Sequence, residues 1–345
     1  MTPIITLSQT TDTPARREMA PGAAITCLYA RSRDSREADA PGQDFIAYGY
    51  DEGHIAFAVC DGVSQSFFGD LAARFLGERL VDWLAALLDD PDDAVTLEAF
   101  GARLDQALRA WTAEANARVA AMPISEGLPP LVREALARKR DHGSEAMFVA
   151  GLVDMARGQV LLGWLGDMGL RLWDWHGAPV ELPGAVWETR ERWSSRVGPK
   201  PGAPRVALVP LAGVSRIAAF SDGLGSRASE LDALSLDGLD ALARELDAAP
   251  ASDDISILDI ALSAVPVAAG EPIPAPRLFQ AEPTVAEAVP VLAAPPTHAP
   301  IPEAVARPIA IQPPHEVFQT TPVMILSLLL ALILSIGWIL LNAQR

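Results

Sequence analysis

The sequence predicts an α+β fold in which helices pack on antiparallel sheets. Three observations point there: strand-period and helix-period segments follow one another in mixed order, neighbouring strand segments are joined by short turns, and half of the 345 residues are hydrophobic. That composition can bury a real core. The folded part is expected over residues 23–263, behind an N-terminal tail over 1–22.

DFIAYGY and HIAFAVC read as two short strands, joined around Asp51-Glu52-Gly53 by residues suited to a tight turn. After them Leu71, Ala72, Phe75, Leu76, Leu80, Trp83, Leu84 and Leu87 recur at helical spacing, with Asp70 placed to cap the helix. A second long helix is expected from Thr96 to Ala121. Strand signals return in MFVAGLVDM, QVLLGWLG and LRLWDW, the first two separated by an Arg157-Gly158 turn. A helix through Leu236–Leu246 and a last strand, DISILDIAL, close the domain. Cys27 and Cys60, the only cysteines, fall in apolar strand segments without metal-ligand spacing, which suits a reduced compartment.

Beyond this domain the composition changes. Residues 264–321 are dense in Pro and Ala and read as an extended linker. Residues 322–341 contain VMILSLLLALILSIGWILL, which as a helix would rise about 28 Å, close to the hydrocarbon thickness of a bilayer. A single transmembrane helix with a short tail over 342–345 is therefore expected. No basic patch followed by an apolar run lies between Met1 and Asp12, so no secretory signal is read. The expected placement is a single-pass C-terminal membrane anchor with the folded domain in the cytoplasm. A net charge of −17 opposes nucleic acid as a partner.

Two segments, FAVCDGV at Asp61 and IAAFSDGL at Asp222, are apolar strands that end in Asp-Gly. Asp-Gly is a hairpin signal, but no second strand follows either copy directly. A carboxylate at a strand end instead offers a hard oxygen ligand, and the glycine lets the backbone approach. Asp253-Asp254 before ISILDIAL and Gly166-Asp167 after QVLLGWL add two more acidic strand ends. Taken singly, Asp253 as a turn cap and Asp167 as the start of a turn stay open. Together the four ends are most economically explained by a bound divalent cation, and oxygen ligands suit Mg²⁺ or Mn²⁺ rather than zinc.

The order of motifs resembles the type-2C metal-dependent (PPM-type) serine/threonine protein phosphatases, in their bacterial form, from about Ala24 to Ser263. GQDF at Asp44, AVCDGV, HGSEAMFVAGL at Gly143 and Ser144, WLGDMG, AAFSDGL and SDDISIL each resemble a motif of the family and follow the family's order. The resemblance implies a four-layer αββα sandwich of two antiparallel sheets flanked by helices, and hydrolysis of phosphoserine and phosphothreonine in proteins by two-metal activation of water. Carried over, Asp61 would bridge two Mn or Mg ions and the Gly62 carbonyl would complete one coordination sphere. Asp222 and Asp253 would hold the other ion, Asp44 would act through water, and Asp167 would hold a third ion. Asp61, Asp222 and Asp253 are the expected catalytic set, and of Arg31, Arg33 and Arg36 the last is taken to bind substrate phosphate. Expected partners are phosphorylated proteins, among them a Ser/Thr kinase and its targets.

Two departures from the family's pattern stand out, and the first, the altered loop after Gly62, motivates an alternative. VSQS follows Asp61-Gly62, so Val63 cannot act as a general acid, and Met168-Gly169 replaces Ser-Arg. The alternative is a pseudophosphatase or membrane-tethered scaffold that binds phosphoproteins without turnover. His54, His142 and His176 are read as turn or surface residues, and Trp164, Trp173, Trp175 and Trp193 as core or sheet-face residues. ETRERWSSRVG sits where the family has a mobile flap, which makes Arg196 and Trp193 candidate contacts to a substrate peptide.

Overall fold

The computed structural model describes residues 3–89, 96–233, 235–249, 252–263 and 273–280. Alternating apolar residues draw its strands into two antiparallel sheets. The larger has the order β1 (Ile5–Thr6), β4 (Phe45–Tyr50), β5 (His54–Gly62), β6 (Glu145–Asp154), β7 (Gln159–Leu165), β11 (Arg205–Pro210) and β14 (Arg277–Gln280). A small hairpin of β9 (Arg192–Ser194) and β10 (Gly198–Lys200) joins it by pairing with β6. The second sheet runs β2 (Thr13–Ala20), β3 (Ala23–Ala30), β13 (Ile255–Leu262), β12 (Arg216–Phe220) and β8 (Gly169–Trp173).

Period-two alternation along β5 sends Ile55, Phe57 and Val59 into a core shared by both sheets, with Ile25 and Cys27 of β3 and Leu258 and Ile260 of β13. The alternate residues Ala56, Ala58 and Cys60 face α2 (Gly69–Ala86), where they meet Leu76, Leu80 and Leu84. A third core, with Leu239 and Leu242 of α6 (Leu236–Asp247) on Ile255 and Ile257, covers the outside of the second sheet. Fully burying each such side chain is worth roughly 1.5–3 kcal/mol, so the three cores fix four layers in the order helix, sheet, sheet, helix. The expected sandwich is present.

Several elements differ from the sequence reading. The helix expected over Thr96 to Ala121 is divided at Trp111 into α3 (Leu97–Ala110) and α4 (Thr112–Ala121), where the Thr112 hydroxyl donates to Arg109 O at 2.7 Å. Thr96 caps α3 by accepting from Ala99 N. Asp70 is not the N-cap of α2: that position is Phe68, in left-handed backbone at φ 46°, which makes no side-chain capping bond. A short α1 (Arg33–Glu37) follows β3, and α5 (Pro130–His142) precedes β6. β1 and β2 lie within the stretch read as an N-terminal tail, and β14, within the stretch read as linker, pairs with β11 and carries the sheet past Ser263.

Among the described residues no helix is long and apolar enough to cross a membrane. The span expected at 322–341 and its tail at 342–345 lie outside the described residues, as does the linker except for 273–280.

Candidate active site

Strand registers bring the acidic strand ends to one margin of the sandwich. Phe45, directly after Asp44, faces Cys60, directly before Asp61. Phe148 faces Leu165, two residues before Asp167, while Phe220, two residues before Asp222, faces both Ile257 and Gly169. Five carboxylates from four loops and one strand end therefore share one electrostatic neighbourhood.

Asp61 feels this most. Its carboxyl is held well above the usual carboxylate range, first by burial and then by repulsion from Asp44, Asp222, Asp253 and Asp167. Asp44, 2 % exposed, is raised by burial and by Asp254, with the Ser221 and Ser256 hydroxyls opposing. Burial and then the charges of Asp253 and Asp167 push Asp222 up to about 6. Asp253 is raised too, by burial first, although its carboxylate accepts from Asp254 N at 2.8 Å.

Glycine after aspartate has a steric cause in the fold, separate from the expected approach to a ligand. A Cβ on Gly62 would fall 2.3 Å from the Gly69 carbonyl carbon, and one on Gly223 would fall 2.0 Å from Asp254 O. Both glycines let backbone lie on backbone. Gly62 N also donates to Gln43 O at 3.2 Å, which ties the Asp61 strand end to the loop carrying Asp44.

In the sequence Asp254 is only half of an acidic step. It is 4 % exposed, accepts from Ser32 N at 2.5 Å and from Gln43 N, and so holds the loops on either side of α1 to the start of β13. Gln9 is also new: its side chain donates to Asp70 O at 3.2 Å and accepts from Arg74 Nε at 2.9 Å, while its carbonyl accepts from Gly42 N. The acidic doublet was a visible signal for Asp254, whereas nothing local in the sequence marks Gln9.

The three arginines in and before α1 each have partners in the structure. Arg36 pairs with Asp247 and, at 3.6 Å, with Asp12; Arg31 pairs with Asp12 at 3.1 Å; Arg33 donates to Asp247 O and Ala249 O. Arg36 therefore ties α1 to the end of α6. Trp193, read as a candidate peptide contact, is fully buried, donates to Leu108 O at 2.8 Å and stacks on Phe75. Arg196 is exposed.

Among the described residues no group of three or more His, Cys, Asp or Glu closes tightly enough to hold a metal ion as placed. The donor chemistry nonetheless fits hard divalent cations. Every candidate ligand is an oxygen, Asp44 Oδ2 and Asp167 Oδ1 are buried without a hydrogen-bond partner, and the carboxylates repel one another.

A two-sheet sandwich flanked by helices, with clustered acids at one end, defines the class to which comparison assigns the sequence. The profile described as "Protein phosphatase 2C" matches residues 31–246, a span that includes Asp44, Asp61, Asp167 and Asp222. The chain belongs to the protein phosphatase 2C family, whose members are serine/threonine protein phosphatases. Among solved structures it is similar to serine/threonine phosphatase Stp1 from Staphylococcus aureus, at 13 % identity over 72 % of this chain and 99 % of that one, with a TM-score of 0.46. It is similar also to the Mycobacterium tuberculosis phosphatase PstP/Ppp, at 18 % identity over 70 % and 98 % of the two chains and a TM-score of 0.42. A third, RsbX in complex with magnesium, has 14 % identity over 72 % and 100 % of the chains and a TM-score of 0.42. No curated protein matches.

Proposed function

We propose that the chain hydrolyses phosphoserine and phosphothreonine in proteins with the help of two Mg²⁺ or Mn²⁺ ions. The observation that carries this reading is the gathering of Asp44, Asp61, Asp167, Asp222 and Asp253 at one margin of the sandwich, with Asp44 Oδ2 and Asp167 Oδ1 buried without partners. Asp61, the Gly62 carbonyl, Asp222 and Asp253 would hold the ions, Asp44 would act through water, and Asp167 would serve a third, weaker one. Such ions lower the pKa of water and neutralise phosphoryl oxygens.

The chain's own part is to fix these carboxylates and to supply no competing proton chemistry. Val63 packs against the core between the sheets and its N–H donates to Glu145 O at 2.9 Å. The Ser66 hydroxyl donates to Val63 O and accepts from Glu145 N. Val63 carries no ionisable group and the Ser66 hydroxyl is engaged in these two bonds, so the loop after Gly62 acts as a support.

That same loop favours a second reading, a pseudophosphatase that binds phosphoproteins without turnover. Phosphate release from a phosphothreonine peptide separates the two: turnover with Mn²⁺ that stops with EDTA supports the enzyme, and binding without release supports the scaffold. We further propose that residues 322–341 anchor the chain, leaving the domain in the cytoplasm to oppose a Ser/Thr kinase at the membrane. The 19-residue apolar run supports the anchor.

A further inference from the structure

Helix α5 differs from its neighbours in burying none of its residues, and Leu131 on it is 72 % exposed. Core packing therefore does not explain its presence, although packing stabilises most helices in proteins. Its sequence, PLVREALARKRDH, carries Arg133, Arg138, Lys139 and Arg140 against Glu134 and Asp141, in a chain whose net charge is −17. Cations in the last turn suit the helix dipole, but Arg133 lies at the other end.

The basic end of α5 is held beside the candidate active site. Lys139 Nζ donates to Ser64 O at 3.4 Å, and Phe67 N donates to Gly143 O at 3.1 Å, so the loop that leaves Asp61-Gly62 rests on the end of this helix. Three residues span at most about 11 Å, which puts the Lys139 ammonium within roughly 15 Å of the Asp61 backbone. Arg196 belongs to the same surface: a Cβ on Gly143 would lie 2.7 Å from Arg196 Cγ. Arg138 is 65 % exposed, and its pairing with Glu134, at 3.6 Å, is a surface contact worth little.

We propose, building on the phosphatase reading above, that α5 and Arg196 form a docking surface for acidic substrate segments. It selects phosphoproteins with Asp, Glu or a second phosphate close to the residue being dephosphorylated. An extended peptide rises about 3.3 Å per residue, so the selected acids lie roughly two to five residues from the phosphoresidue. Charge complementarity decides the occupant, since an anionic segment is attracted to this basic helix in a chain whose net charge is −17.

The test compares a phosphothreonine peptide carrying Asp and Glu at those positions with its Asn and Gln twin, using the full-length chain and Mn²⁺. The readout is the ratio of the two kcat/KM values, in which any general loss of activity cancels. The wild-type ratio is expected to be about tenfold at low salt, carried by KM, and to shrink as salt rises. It should fall toward one in Arg138→Gln/Lys139→Gln/Arg140→Gln, and also in Arg133→Gln/Arg138→Gln, which leaves the Lys139 contact to Ser64 in place. A wild-type ratio of one, or a ratio unchanged in both variants, overturns the docking surface while leaving the phosphatase reading intact. Absence of turnover on both peptides overturns the phosphatase reading instead; fluorescence anisotropy of the same peptides then gives an affinity ratio read the same way. Sedimentation with phosphatidylserine vesicles and with phosphatidylcholine vesicles completes it: variants that lose only the preference for anionic lipid, at an unchanged peptide ratio, assign the face to lipid and overturn the proposal.

Discussion

The backbone of Gly62 lies directly on that of Gly69: a methyl group on Gly69 would fall 2.6 Å from the Gly62 carbonyl carbon and 2.9 Å from Val63 N. The strand end that carries Asp61 and the first turn of α2 are thereby pressed together, with neither backbone able to yield cheaply. Gly69→Ala is expected to cost about 1–3 kcal/mol of stability through overpacking. It should also lower kcat about 100-fold, because the shift falls next to Asp61. Chemical denaturation and steady-state kinetics on the same preparation check both; near-normal turnover would mean that the contact does not position the site.

Asp254→Ala removes the acceptor shared by Ser32 N and Gln43 N. Leaving buried donors unpaired costs about 1–3 kcal/mol each, so a loss of roughly 2–5 kcal/mol is expected. Asp254→Asn, which keeps one acceptor oxygen, should recover part of it. Urea denaturation of both variants measures this, and an alanine variant as stable as wild type would show that the clamp is not under load.

The acid cluster makes a prediction with a definite sign. Asp222 has a folded pKa of about 6, above its ordinary value of 3.8, so its contribution to stability is present below pH 3.8 and is lost as pH rises through 6. In EDTA, Asp222→Asn should therefore raise the melting temperature relative to wild type at pH 7.5 and do so much less at pH 4.5. Added Mn²⁺ should stabilise wild type more at the higher pH, where the carboxylates are ionised. Equal effects of the substitution at both pH values would contradict the repulsion described for this site.

Truncation separates the anchor from the fold. A chain ending at Thr321 keeps β14, whose Phe279 lies against Gly101 of α3, and is expected to be soluble, stable and fully active. A chain ending at Ser263 loses that strand, uncovers the edge of β11, and should melt at a lower temperature. Fractionation and thermal denaturation of the two products decide this; a Thr321 product still pelleting with membranes would overturn the anchor.

Much of the fold was legible because strand alternation and tight turns are local signals. The residues of β5 and β6, the turn at Asp51 to Gly53 and the helix α6 all follow from patterns within about ten residues. What was missed depends on partners far along the chain. The start of α2 is set by the meeting of Gly69 with Gly62, which outweighs the capping potential of Asp70. The break at Trp111 interrupts an apolar stripe at a point with no glycine or proline beside it to mark it. β14 was hidden by Pro-rich surroundings, and the pairing of Arg36 with Asp247 joins residues 211 apart in the chain. For the site, the acidic strand ends could be read, but not the division of labour in Asp253-Asp254, where one carboxylate joins the cluster and its neighbour holds two loops.

The central claim is that clustered carboxylates around Asp61 bind divalent ions that the phosphatase reaction requires. Electron paramagnetic resonance of Mn²⁺ titrated into wild type and Asp61→Asn, with phosphate release from a phosphothreonine peptide measured on the same samples, tests it most directly. Wild type is expected to bind at least two ions and to release phosphate. Asp61→Asn should bind fewer and lose turnover by about three orders of magnitude or more while remaining folded, and Asp167→Asn should lose activity only at limiting Mn²⁺. Unchanged ion binding together with near-normal turnover in Asp61→Asn would contradict the account.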